Sequence, residues 1–179
     1  MRYSQILLLF VFALVFASCG ENWIYDKKIS ISNAQWTYKD SLNFDFEIAD
    51  TFKIYNLYVE VEHDETYPFQ NIYLMTHTKF PGGERPAQRI NVDLANSAGT
   101  WLGKKSAKNF THRIDLQENA YFNKAGKYTL TLAQFMRQDS LPISSVRFGV
   151  EDTKQTRDKV SVKQGERPKT KPQSKYLVK

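Results

Sequence analysis

Three features of the chain predict an all-β fold, an antiparallel β-sandwich of immunoglobulin-like or jelly-roll-like type with seven to eight strands. Short segments alternate apolar and polar residues with a period of two, turn residues separate them, and Phe, Tyr and Trp, which favour strands, make up 14% of the residues. Strands alternating with 10–15-residue helical patterns, the mark of a parallel α/β sheet, do not occur. A chain of 179 residues holds one domain plus extensions. A domain of that size buries enough surface to fold without metal or disulfide, and one cysteine permits no internal disulfide.

The N-terminus explains the cysteine. Met1-Arg2 is a positive start, Ile6 to Ala17 is an unbroken run of 12 apolar residues, and small residues precede Cys19. As a helix such a run spans about 18 Å, well short of the ~30 Å core of a bilayer. Residues 1–18 therefore read as a removed lipoprotein signal, with Cys19 as the lipid attachment site. Its sulfur would carry a diacylglycerol and its freed amine a further palmitoyl-type chain. At ~0.8 kcal/mol per buried methylene, three chains make a lasting membrane anchor. An ordinary secretory signal and a buried structural cysteine are the competing readings, and Phe16 stands where leucine is usual. Residues 19–23 form a tether.

The sandwich is placed at residues 24–153. Ile29–Ile31 and Trp36–Tyr38 are short strands around a Ser32-Asn33 turn. Leu42–Ile48 alternates without error, apolar at even positions, a pattern no helix converts into one apolar face. Ala49–Thr51 turns the chain into Leu57–Glu62, with Leu57, Val59 and Val61 inward; the short connection predicts that these two strands pair. Asn71–Phe80, Arg89–Leu94, a strand with Phe110, His112, Ile114 and Leu116 on one face, Lys127–Leu132 and Val146–Val150 complete the set. Ala95–Asn109 reads as a loop, and Ala133–Leu141 as the one stretch open to a helical turn.

A net charge of +6 suggests an anionic partner until the charges are placed. Residues 154–179 hold nine Lys and Arg against two acidic residues, leaving residues 1–153 at −1. That distribution argues against a nucleic-acid-binding domain. The 154–179 segment, polar and with Pro168 and Pro172, has no run able to offset the entropy of ordering, and reads as a basic disordered tail. It is either a solvated extension or a loose contact for an anionic surface.

No residue set asks for a cofactor or for catalysis. His63, His77 and His112 could supply zinc ligands with Asp64 or Glu62, but they lie on three strands without close spacing. Asp45 and Glu47 could imitate a glycosidase pair, yet acids on a solvent-facing strand are ordinary. No glycine-flanked nucleophile or phosphate-cradling loop is present. The candidate partner contacts are aromatic. Trp101, between Gly99 and Gly103, either anchors a partner or closes one end of the sandwich. Tyr67 and Phe69 in the Tyr67-Pro68-Phe69 turn share that ambiguity.

In their order these pieces resemble the GldH family of gliding-motility lipoproteins of the Bacteroidota. The matching elements, over about residues 1–152, are the signal with Cys19, Tyr25-Asp26, Asp40, Tyr55-Asn56-Leu57, Tyr67 to Ile72, Gly99 to Gly103, Phe122 with Gly126 and Tyr128, Gln134 to Arg137, and Phe148-Gly149-Val150. Lys104-Lys105 and the basic tail depart from the pattern. The resemblance implies a non-catalytic envelope lipoprotein, tied to gliding and to type IX protein secretion, whose partners are the membrane and other envelope proteins of that apparatus. Glu21 alone follows Cys19, without the acidic cluster of surface-exported lipoproteins, which favours the periplasmic face of the outer membrane. The alternative is an envelope carbohydrate-binding sandwich with an aromatic platform.

Overall fold

The computed structural model describes residues 22–158 apart from Pro86. The signal, Cys19 and most of the basic segment lie outside the described residues. Twelve strands occur: β1 (Trp23–Ser30), β2 (Trp36–Thr37), β3 (Leu42–Ile48), β4 (Lys53–Asp64), β5 (Asn71–Phe80), β6 (Gly83–Glu84), β7 (Gln88–Asp93), β8 (Lys104–Ser106), β9 (Asn109–Ala120), β10 (Gly126–Gln134), β11 (Ser140–Leu141) and β12 (Ile143–Thr156). Eight have six residues or more, the upper end of the seven to eight predicted; of the short ones β2 falls within the predicted Trp36–Tyr38, whereas β6, β8 and β11, of two or three residues, are too short to carry a pattern.

Pairing decides between the two sandwich types. One main sheet runs β1-β12-β4-β9-β8 and the other β3-β10-β5, with β6 and β7 both on the far side of β5; β2 and β11 pair as a separate two-stranded sheet. Numbered in chain order, the eight long strands form sheets 1-8-3-6 and 2-7-4-5, so the first and last strands lie side by side. That is the jelly-roll order. Every strand pair is antiparallel and neither sheet closes on itself.

The predicted pairing of Leu42–Ile48 with Leu57–Glu62 is wrong: β3 pairs β10, and β4 pairs β9 and β12. The turn between them arches from one sheet to the other. Asp50 holds it, accepting the Phe52 N–H on Oδ1 (2.8 Å) and the Tyr55 hydroxyl on its carbonyl (2.6 Å). Each strand has one apolar face, and facing each other across the core buries both.

The core follows the alternation. Phe44, Phe46 and Ile48 of β3 are buried and the residues between them exposed. From the other sheet Val59, Val61, Val146, Phe148 and Val150 meet them, with the Phe148 ring 5.7 Å from Phe44 and 5.4 Å from Phe46. Ala133–Leu141, open to a helical turn by sequence, holds no helix: it is the end of β10, a bend over residues 136–139 and β11.

Two boundaries differ from expectation. The first strand begins at Trp23, inside the expected tether. The last continues to Thr156, past the expected start of the tail at Lys154, with Thr156 paired to Lys53. Polar residues at the end of a strand are held by backbone bonds, which composition does not register.

Candidate functional site

The two ends of the sandwich carry different chemistry. At one end the inward phase of β4 continues from Val59 and Val61 to His63, and that of β9 runs through Phe110, His112 and Ile114. Register brings the two histidines together: Val61 lies opposite His112, and His63 opposite Phe110. The rings stack at 14° with centroids 4.9 Å apart, and Nε2 of one is 2.9 Å from Nε2 of the other. His63 Nδ1 is 2.6 Å from the Asp64 carbonyl, which only accepts, so Nδ1 carries the proton. His63 Nε2 is then the acceptor of the His112 Nε2–H. Burial lowers the pKa of both, and the neighbouring imidazole helps bring His112 to about 4. Both rings are therefore neutral at pH 7.

The glycine loop closes over this pair. Asn96 Oδ1 accepts the N–H groups of Ala98 (3.0 Å) and Thr100 (2.9 Å), and Gly99 takes φ 81° at the turn. Ala95 and Trp101 form a bridge that continues the β-pairing beyond β7. Trp101 stands edge-on to His63 at 4.6 Å and packs against Phe110 at 5.8 Å. Gly103 has a different reason from Gly99: a Cβ there would lie 2.7 Å from the His112 ring. Its service is close approach, not a left-handed backbone.

Of the three aromatic candidates, Trp101 is half-buried on the core, Phe69 is half-buried, and Tyr67 is 3% exposed. Tyr67 donates its hydroxyl to the Asn71 carbonyl (3.1 Å), and burial raises its pKa. Its ring faces His63 and Phe69 rather than solvent, so it supports the end from within and offers no face to a partner. Leu102, next to Trp101 at the base of the loop hairpin, is a large exposed apolar residue.

The remaining candidates stay apart. His77 lies in the other sheet beside Glu84, at 3.4 Å. Among the described residues no three His, Cys, Asp or Glu side chains converge as a metal site would require. Asp45 and Glu47 are on the exposed face of β3, where Asp45 accepts the Thr129 hydroxyl (2.6 Å).

At the opposite end a cavity of about 280 Å³ opens between the sheets, lined by Phe46, Phe80, Phe122, Tyr128 and Phe148, with exposed Arg85 and Lys124 beside it. Phe46 and Tyr128 stack at 5.5 Å, and Phe122 stands edge-on to Tyr128 at 4.8 Å. Arg157 ties the rim together: its backbone N–H donates to the Phe52 carbonyl (2.9 Å), its guanidinium lies 4.1 Å from the Tyr121 ring centroid, and Nη2 donates to Asn123 Oδ1 (2.9 Å). Alternation points to neither the cavity nor the histidine pair as a unit, although both histidines sit in the inward phase of their strands.

The fold and its two ends define a class: a jelly-roll domain with aromatic ends, carried behind a sequence with the layout of a lipoprotein signal. The chain belongs to the GldH lipoprotein family, whose model matches residues 23–151. It is 31% identical over 141 residues to a gliding motility lipoprotein GldH homolog of Christiangramia forsetii, covering 78% of this chain and 85% of that one. It is 29% identical over 139 residues to the gliding motility lipoprotein GldH of Flavobacterium johnsoniae, covering 77% and 85%. Among solved structures, dimeric latent PorU from Porphyromonas gingivalis is similar at 6% identity and a TM-score of 0.33, over 75% of this chain and 14% of that one, too slight a likeness to bear on fold or function.

Proposed function

We propose that this protein is a non-catalytic component of gliding motility and of the associated type IX secretion apparatus, anchored through Cys19 to the outer membrane with its jelly roll on the periplasmic side. The observation that carries the proposal is family membership across residues 23–151, with relatives named for gliding motility. The domain's role is to hold other envelope proteins. The loop end suits that role, since Leu102 is exposed and Trp101 and Phe69, half-buried, are braced from below by Tyr67.

In-cell crosslinking followed by affinity purification and mass spectrometry tests it. Enrichment of gliding and secretion envelope proteins over an untagged control is the expected result. Retention on peptidoglycan or polysaccharide, with no envelope protein enriched, would instead indicate a carbohydrate-binding module.

A further inference from the structure

The cavity end of the jelly roll is also the end where the chain enters and leaves the domain. Asn22 accepts the Asp152 N–H on its carbonyl (2.9 Å), and Trp23, the first residue of β1, is opposite Glu151. Lys53 is opposite Thr156, and its ammonium meets the Asp152 carboxylate at 2.6 Å. Cys19 and Trp23 are four residues apart, a step of at most about 14 Å even when fully extended. The 12 residues of β4 separate this end from the loop end by roughly 40 Å. A lipid on Cys19 thus holds the cavity end near the bilayer, with the loop end at the far end of the strands.

The surface at this end matches a bilayer in chemistry. Phe52 is 63% exposed, Tyr121 56% and Ile24 41%, which places here three of the six exposed large hydrophobic residues among the described residues. Aromatic side chains favour the boundary between headgroups and acyl chains. Arg85 and Lys124 flank the cavity, and Arg157 lies over Tyr121. The chain leaves at Asp158 into residues 158–179, which carry seven Lys and Arg against two acids. Basic segments beside an anionic bilayer are attracted to it.

We propose that this end, through Phe52, Tyr121 and the basic groups around them, is a seat for an anionic phospholipid surface, so that the domain stands end-on with the Trp101 loop facing away from the membrane. The seat rests on the acylation of Cys19 already proposed, and it deepens that proposal by fixing which end partners meet.

The test uses the full-length acylated protein in vesicles of phosphatidylethanolamine and phosphatidylglycerol. Once Cys19 is acylated, a second cysteine is a unique site for a fluorophore. Phe52→Cys and Tyr121→Cys mark the proposed seat, Leu102→Cys the far end, and Ser30→Cys the far end of β1. Headgroup spin-labelled lipid should quench labels at 52 and 121 several-fold more than those at 30 and 102. Equal quenching at 30 would mean that the domain lies on its β1 edge, and equal or stronger quenching at 102 that the loop end is down; either overturns the proposal while leaving acylation intact. Flotation with the vesicles and the mass of the Cys19 peptide report acylation separately. A protein that is not acylated there and does not float would overturn both.

Discussion

Nε2 of His63 lies 2.9 Å from Nε2 of His112 in the sealed loop end of the sandwich, a hydrogen bond that exists only while the accepting His63 ring is neutral. Protonating either ring places two N–H groups face to face or a charge in an apolar site. The folded pKa of His112 is depressed to about 4 while the unfolded value stays near the ordinary 6.5, so between those values the unfolded chain binds more protons. Stability therefore rises with pH across that window and is lost as pH falls through it, by about 3 kcal/mol for a shift of this size. Glu62 adds to the loss at lower pH. Burial would raise its pKa, but hydrogen bonds from Lys28, Ser145 and Asn109 outweigh it and hold the value at about 2, so its contribution disappears below the ordinary carboxylate range. Urea unfolding of the soluble domain at pH 7 and pH 4.5 checks the histidine window; equal stability at the two would contradict the paired geometry.

Trp101 is the lid of that pair. Trp101→Ala should cost roughly 3 kcal/mol, because the indole packs on His63 and Phe110 and its removal leaves a cavity beside them. It should also raise the pKa of both histidines by admitting water, which NMR titration of the ring protons reads directly. A variant as stable as the parent, with unmoved histidines but lost partners, would make the indole a docking anchor instead.

On the outer face of the first sheet, Tyr58 lies across Gly149, whose strand position is directly opposite. Trp23 at 5.0 Å and the Arg113 guanidinium at 4.0 Å hold the phenol ring down, and its hydroxyl is 3.3 Å from Asp26. A Cβ at Gly149 would overlap the ring. Gly149→Ala should cost about 1–3 kcal/mol by overpacking and much less in a Tyr58→Ala background. Additive costs in a double-mutant cycle would show that the glycine is there for another reason.

The C-terminal boundary is equally open to test. Ending the chain after Asp158 should leave the melting temperature unchanged, whereas ending it after Thr153 removes the Thr156 pairing and the Arg157 contacts with Tyr121, Phe122 and Asn123. The shorter form should lose about 1–2 kcal/mol, a fall of several degrees for a domain of this size. Calorimetry on the two forms decides it; equal melting temperatures would return residues 154–157 to the tail.

The strands were legible because a half-buried sheet writes its period into the chain: Leu42–Ile48 alone shows which three side chains enter the core. Their order was not, because pairing is a long-range choice. Lys53 meets Thr156 and Thr131 meets Asn43 across separations that no local pattern records, and β3 with β4 looked like a hairpin although they sit in opposite sheets. The same distance hid the histidine pair, 49 residues apart in sequence, even though each ring lies in the inward phase of its strand. Trp101 was recognisable as a lid or an anchor from its glycines, but the reason for Gly103 was not, since a close approach to His112 leaves no trace in composition. The cavity rim depends on Arg157, whose polar neighbours resemble a tail.

Replacing Cys19 with serine at its native locus tests lipid anchoring, with a fatty-acid probe and colony spreading read on the same cells. Anchoring through Cys19 predicts a precursor or soluble protein that takes up no label, and cells that no longer spread. Label incorporated into Cys19→Ser protein, or spreading at the parental rate with the unlabelled form, would contradict it.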